Sequence, residues 1–216
     1  VKSNEIMKPH VERKEMFINL RLMQVRNYEK YPFVSAMSEE CRKEFEEDFI
    51  NYITRKKRNL IVSNIDSLNK EKRLQLYSRG LWLKELNDEK DITFIYSYAN
   101  DIAIILKNKN HVTILASTPQ PFFKNVYKKL VELEKKISEY ARVSVNEHYG
   151  YISPQLKDCG LGFKITALMH IVWVRNFKFF ATENKEIATT FEKVQEDFFN
   201  RGYLLEKSYF DKVDCD

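Results

Sequence analysis

The sequence predicts an α+β domain: an antiparallel β-sheet with helices packed on one face. Three observations lead there. The strand-like runs Ile92–Ser97, Ile102–Leu106 and His111–Ala116 are joined by the short turns 98–101 and 107–110, too short for the crossover that parallel strands need. Long segments on either side of these runs place apolar residues at helical spacing. No internal repeat, low-complexity tract or linker divides the chain, so these layers are read as one domain.

The elements follow in order. Residues 1–15 are polar, contain Pro9 and show no period; they are expected to be an extended lead-in to a domain spanning residues 16–216. Met16–Arg26 alternates as a strand and ends at Asn27, ahead of a turn at Tyr31-Pro32-Phe33. Ser38 is a suitable N-cap for a helix over Glu39–Arg58, with Glu39 and Glu40 favourably placed near the positive end of the helix dipole. Its residues Phe45, Phe49, Ile50 and Ile53 share one face. Leu60–Asp66 reads as a short strand, and Asn69–Ser78 as a helix closed by Gly80. Beyond Pro119 and Pro121, Phe122–Ala141 predicts a long helix. Its stripe of Phe123, Val126, Tyr127, Leu130, Leu133 and Ile137 is assigned to core packing. Glu186–Asn200 predicts a further amphipathic helix ending at Gly202.

Gly150–Met169 predicts a strand, a loop holding Pro154, Gly160 and Gly162, and a second strand continuing through Ile171–Val174. Glycine allows close backbone approach, so such a loop can cradle phosphate or present a reactive side chain. Gln155, Leu156 and Lys157 supply no nucleophile or base, and an ordinary strand–loop–strand connection fits equally well.

Composition narrows the function classes. The 216 residues are 44% hydrophobic and 31% charged, enough to bury a sizeable core. The net charge of +5 is mild and scattered. Its one basic run, Arg55-Lys56-Lys57-Arg58, reads as a solvated helix end, with nucleic-acid contact as the other reading. Cys41, Cys159 and Cys215 are odd in number and lack CxxC spacing, which indicates neither a disulfide framework nor a zinc site. His148 and His170 have no partner at metal-ligand spacing, so no metal is expected. No apolar run approaches the ~20 residues that span a bilayer. The chain starts at Val1, from which a preceding segment such as a targeting peptide is expected.

Several stretches, taken in order, resemble the catalytic domain of the phosphagen (guanidino) kinases, the family of arginine kinase, creatine kinase and the bacterial protein-arginine kinases. Asn19–Asn27 followed by Tyr31-Pro32-Phe33 looks like the family's SSRxRxxRN…YPF. Leu74–Leu81 sits where the family has a helix ending in a short turn. Ile104–Ile114 is similar to its hairpin around NEEDHLRI, with His111 shared. Gly150–Lys164 aligns without a gap to GYLTSCPTNxGTGxR, and Arg201-Gly202…Glu206 resembles a later RGxxGE. The resemblance covers residues 16–213 and rests on order and spacing.

The resemblance implies a domain that transfers the γ-phosphoryl of Mg-ATP to a guanidinium, by positioning and charge neutralisation. Arginines clamp the phosphates, a carboxylate orients and deprotonates the guanidinium, and a thiolate sits beside it. Carried over residue by residue, most of this machinery is replaced. Arg21 matches the first phosphate-binding arginine, while Met23 stands at the second. Lys109 stands at the catalytic glutamate, Asn108 at the glutamate before it, and Thr113 at the nucleotide arginine. Gln155 stands at the thiol, and Cys159, four residues on, is not its substitute. Lys164 replaces the loop's terminal arginine, keeping charge but losing the planar fork. Arg201 matches the arginine of RGxxGE.

Lys109 in place of a carboxylate sets like charge against a guanidinium, a repulsion of several kcal/mol in a partly dry site. The expectation is a catalytically inactive member with no bound cofactor. Arg21, Lys164 and Arg201 are left as vestigial phosphate contacts, weak for ATP or ADP, or as plain surface cations. His111 is expected to be structural. The family's small N-terminal helical domain is expected to be missing. The role this implies is a structural or interaction subunit bound to other proteins in a larger assembly. Its expected setting is intracellular and mitochondrial, with the cytoplasm as the alternative. Phe177–Phe180 and Phe198-Phe199 are candidates for either an interface or the core. Two rival readings stay open: a nucleotide-binding regulator or residual phosphotransferase with an altered site, and an RNA-associated subunit.

Overall fold

The structure is a computed structural model that describes residues 17–169, residue 196 and residues 199–202. The chain divides into two compact units, Val1–Met169 and His170–Asp216. In the first unit the elements run β1 (Phe17–Arg26), α1 (Glu39–Lys56), β2 (Ile61–Asn64), α2 (Lys70–Ser78), β3 (Thr93–Ser97), β4 (Ile102–Leu106), β5 (Val112–Thr118), α3 (Phe123–Ser138), β6 (Val145–Asn146), β7 (Gly150–Tyr151) and β8 (Phe163–Met169). Six strands form one sheet in the order β2-β3-β4-β5-β1-β8, and every neighbouring pair is antiparallel. The β3-β4-β5 meander is the one that the short turns dictate. The first strand of the chain lies inside the sheet, with Leu22 opposite Ala116 on one side and Ile165 on the other.

Both faces of β3–β5 are buried, which explains why these strands read as near-continuous apolar runs. On one face Ile95, Ile104, Ile114 and Leu22 pack with Phe45, Phe49 and Ile53 of α1 and Val126, Leu130, Leu133 and Ile137 of α3. The long helices therefore share a face, as the sequence predicts. The other face is covered too. There Phe94, Tyr96, Ile105 and Leu115 pack with Leu76 of α2 and with Leu81, Trp82, Leu83 and Leu86. Alternation leaves those strand residues apolar on that side, and α2 with the chain following it supplies the cover.

Asn69 caps α2 by accepting the Lys72 N–H at 2.9 Å. The helix ends as predicted at Gly80, whose φ is +73°. Gly80 N–H donates to Tyr77 O and Leu81 N–H to Leu76 O, both at 2.8 Å, the paired bonds of a Schellman ending. Ser38 caps α1 through the Cys41 N–H at 3.2 Å. The basic run at the end of α1 is split in use: Lys56 pairs with Glu139 at 3.5 Å, and Arg55 and Arg58 are exposed.

The α3 stripe differs from expectation. Val126, Leu130, Leu133 and Ile137 are buried, whereas Phe123 and Tyr127 are 43% and 47% exposed. The apolar stripe is wider than the strip that meets the sheet, and its outer edge faces solvent. Residues 171–174, 177–180 and most of 186–200 lie outside the described residues. Glu196, Phe199 and Asn200 are helical, followed by Gly202 at φ +79°, consistent with the predicted helix end.

Candidate functional site

Three segments far apart in sequence meet at one end of β1: the strand end itself, the β4–β5 turn, and the loop between β7 and β8. Arg26 and Asn27 join them. Arg26 is buried and its Nε bonds Glu134 of α3 at 3.0 Å. Its Nη1 donates to Val25 O at 2.7 Å and to Leu161 O at 3.4 Å, and its guanidinium lies 3.6 Å from the Tyr151 ring centroid. Asn27 Nδ2 donates to Asn110 Oδ1 at 2.7 Å and to Ile152 O at 3.0 Å. Its Oδ1 accepts the His111 N–H at 2.9 Å. Ser153 Oγ closes the network on Asn110 Oδ1 at 2.8 Å. Buried polar groups bonded this completely fix both loops against the strand.

His111 belongs to the same framework. It is fully buried, its Nδ1 accepts the Tyr28 N–H at 2.9 Å, and its Nε2 lies 2.7 Å from Pro32 O. These bonds select the neutral Nε2–H tautomer. Burial holds its pKa below the usual histidine value, partly opposed by the bond to Pro32. It is structural, as expected.

The 152–162 loop returns on itself through Gly150, at φ +69°. Tyr151 N–H donates to Gly160 O at 2.8 Å and Gly160 N–H to Tyr151 O at 3.1 Å. A Cβ on Gly150 would stand 2.6 Å from Gly160 O. Gly150→Ala is expected to cost about 2–4 kcal/mol, from left-handed strain and the clash together, read as a lower urea midpoint.

These anchored loops form one wall of a cleft of about 930 Å³ that Lys109, Asn108 and Gln155 line together with Arg42, Glu46 and Lys107. The structure thus brings together Lys109, Asn108 and Gln155, which the resemblance alone sets at the family's carboxylate and thiol positions. Lys109 is exposed and has no ion-pair partner among the described residues. Lys107 pairs with Glu46, which also accepts from Thr93 Oγ1. The Cys159 thiol turns onto its own loop, 3.4 Å from Ser153 O and 3.7 Å from Gln155 O.

The other predicted site residues lie elsewhere. Arg21 projects from β1 with Met23 on the face covered by Trp82, and Thr113 is buried on that same face. Arg21 Nη1 donates to Trp82 O at 3.0 Å, while its Nε is buried with no partner among the described residues. Burial lowers its pKa, and nearby Glu85 opposes this. Lys164 lies opposite Met23 on β8 and is exposed. Arg201 is exposed in the second unit.

What the sequence reading missed is the framework: Arg26, Asn27, Asn110, Ser153 and Glu134. One signal was available, since a charged residue followed by an amide at the end of an apolar strand is a position where buried polar groups need partners.

The family model described as ATP:guanido phosphotransferase, C-terminal catalytic domain, matches residues 40–190. The protein-arginine kinase of Clostridium novyi (strain NT) is 25% identical over 167 residues, covering 73% of this chain and 47% of that protein. That of Staphylococcus epidermidis (strain ATCC 12228 / FDA PCI 1200) is 18% identical over 113 residues, covering 52% and 34%. The chain thus spans about half or less of the length of these relatives. Among solved structures, a duplicated taurocyamine kinase from Schistosoma mansoni with bound transition-state-analogue components superposes with a TM-score of 0.65 at 17% identity, over 75% of this chain and 24% of that one. A lombricine kinase gives 0.62 at 10% identity, over 76% and 50%. The structural likenesses show a shared fold. The family match extends over more than half of the chain, and the chain belongs to the ATP:guanido phosphotransferase family through its C-terminal catalytic domain.

Proposed function

We propose that this chain is a non-catalytic member of its family, acting as an interaction subunit within a larger protein assembly. The observation that carries the reading is the convergence of Lys109, Asn108 and Gln155 on one cleft, where the resemblance calls for two carboxylates and a thiol. A guanidinium entering there meets an ammonium, and the deprotonation that precedes phosphoryl transfer has no base in its family position. Of the carboxylates that line the cleft, Glu46 is engaged with Lys107 and Thr93. On the nucleotide side the Arg21 guanidinium is committed to Trp82 O and Thr113 carries no charge.

Exposed apolar surface supports the interaction role. Phe123, Tyr127 and Val131 of α3 are exposed, as are Phe122 just before the helix and Ile165 of β8. Tyr127 meets the ring of Phe163 edge-on at 6.4 Å, linking the two elements. Contiguous apolar patches of this kind mark protein interfaces. No helix among the described residues is long and apolar enough to cross a membrane. The setting proposed is an intracellular, mitochondrial assembly.

A second reading, a nucleotide-binding regulator, is favoured by the Arg21 Nε, a buried donor with no partner among the described residues. Thermal unfolding in 1 mM Mg-ADP separates the two. A Kd of about 10 μM would add about 2.7 kcal/mol and raise Tm by roughly 5–10 °C. With the clamp reduced to Arg21, Lys164 and Arg201, the expected Kd is weaker than about 1 mM, with a shift of about 2 °C or less. A rise of several degrees that Arg21→Ala abolishes establishes the regulator instead.

A further inference from the structure

We infer that the cleft beside the β4–β5 turn accepts a carboxylate-bearing, acidic segment of a partner protein. The inference rests on the non-catalytic reading above and names the ligand chemistry of that same site. It follows from an account of the charges that line the cleft. Of its carboxylates, Glu46 is held by Lys107, Glu39 lies 3.8 Å from Lys43, and Asp91 accepts Asn64 Nδ2 at 3.1 Å. Glu89 is left over. Of its cations, Lys43 and Lys107 are engaged in those pairs. Lys90 and Lys109 have no ion pair among the described residues. Arg42 donates through Nη2 to Val34 O at 2.8 Å, but its Nε is buried and unpartnered.

Three cationic groups without an ion pair therefore face two carboxylates without one, an excess of one positive charge. That excess attracts an oxyanion and repels a guanidinium. Asn108 and Gln155 add neutral amide donors. The walls are set before any ligand arrives. Asp91 and Lys107 hold positive φ of 53° and 57°, fixed by Asp91 N–H on Asp66 Oδ2 at 2.8 Å and Lys107 N–H on His111 O at 3.1 Å. Preformed donors bind with less ordering cost. A cleft of about 930 Å³ has more room than one small oxyanion fills and lies at the upper end for enclosed ligands. That size favours several residues of peptide.

Fluorescence polarisation of the full chain with a labelled peptide of four glutamates flanked by glycines tests this, against a matched lysine peptide. The glutamate peptide is expected to bind at least about tenfold tighter at about 0.1 M salt. Lys109→Glu is expected to weaken it about tenfold or more. Lys124→Glu, at an exposed α3 position outside the cleft, makes the same change in net charge and is expected to alter binding by less than about twofold. Thermal unfolding of both variants checks that each is folded. No preference between peptides, or equal weakening by both substitutions, overturns the inference. Full displacement of the peptide by millimolar inorganic phosphate also overturns it, because the site would then be one for a small oxyanion. Phosphorylation of arginine by the wild-type chain defeats the non-catalytic reading itself. An inert chain that ignores the glutamate peptide defeats only the present inference.

Discussion

Arg26→Ala is expected to destabilise the domain by about 3–5 kcal/mol, the usual cost of removing one partner from a buried, hydrogen-bonded ion pair. Four interactions are lost at once: the pair with Glu134, the bonds to Val25 O and Leu161 O, and the stacking on Tyr151. Glu134 itself is only 20% exposed, so it is left with little solvent to compensate. Glu134 keeps its bond from Ser138 Oγ at 2.9 Å, so Glu134→Gln should cost less than Arg26→Ala. Urea unfolding of the two variants and their double mutant measures the coupling directly. A loss below about 1 kcal/mol for Arg26→Ala would show that the loop is held by other contacts.

His111→Ala is expected to cost about 3 kcal/mol at neutral pH, from a cavity and from two backbone groups left without their partner. The ring also stacks on Tyr28, with centroids 6.0 Å apart and planes at 11°, and meets Phe45 at 5.5 Å. A pH signature accompanies the loss. Burial lowers the folded-state pKa of His111 below its unfolded value near 6.5. Below pH 6.5 the unfolded chain therefore binds more protons than the folded chain at this site, and stability falls with pH through that window. The wild-type chain should lose stability from pH 7 to 5, and His111→Ala should show a flatter profile. Parallel curves would contradict the buried neutral imidazole.

Local chemistry made much of the fold legible. The meander followed from turns too short for anything else, and the start of α1 and the end of α2 from Ser38 and Gly80 acting as the caps their residue types favour. The place of β1 between β5 and β8 was not legible, because pairing between distant segments leaves no mark on either one. The two-sided burial of β3–β5 was written in their continuous apolar character, and it required a cover on the second face that α2 and residues 81–86 supply. For α3, helical spacing gave the stripe but not its width of contact, so Phe123 and Tyr127 were assigned to the core.

At the site, Lys109 and Gln155 could be placed side by side only through resemblance, since β5, α3, β6 and β7 lie between them. The polar framework that holds them was invisible for the same reason. Asn27 reaches Asn110 across 83 residues and Arg26 reaches Leu161 across 135, and no local pattern records such pairs.

The central claim is that the cleft lacks the chemistry for phosphoryl transfer to a guanidinium. Its most direct test is incubation of the purified chain with γ-labelled ATP, Mg²⁺ and, in turn, arginine, creatine and an arginine-rich protein. The account predicts transfer no greater than the enzyme-free blank for each acceptor, and no change with Lys109→Ala. Transfer above the blank that disappears in Lys109→Ala would contradict it.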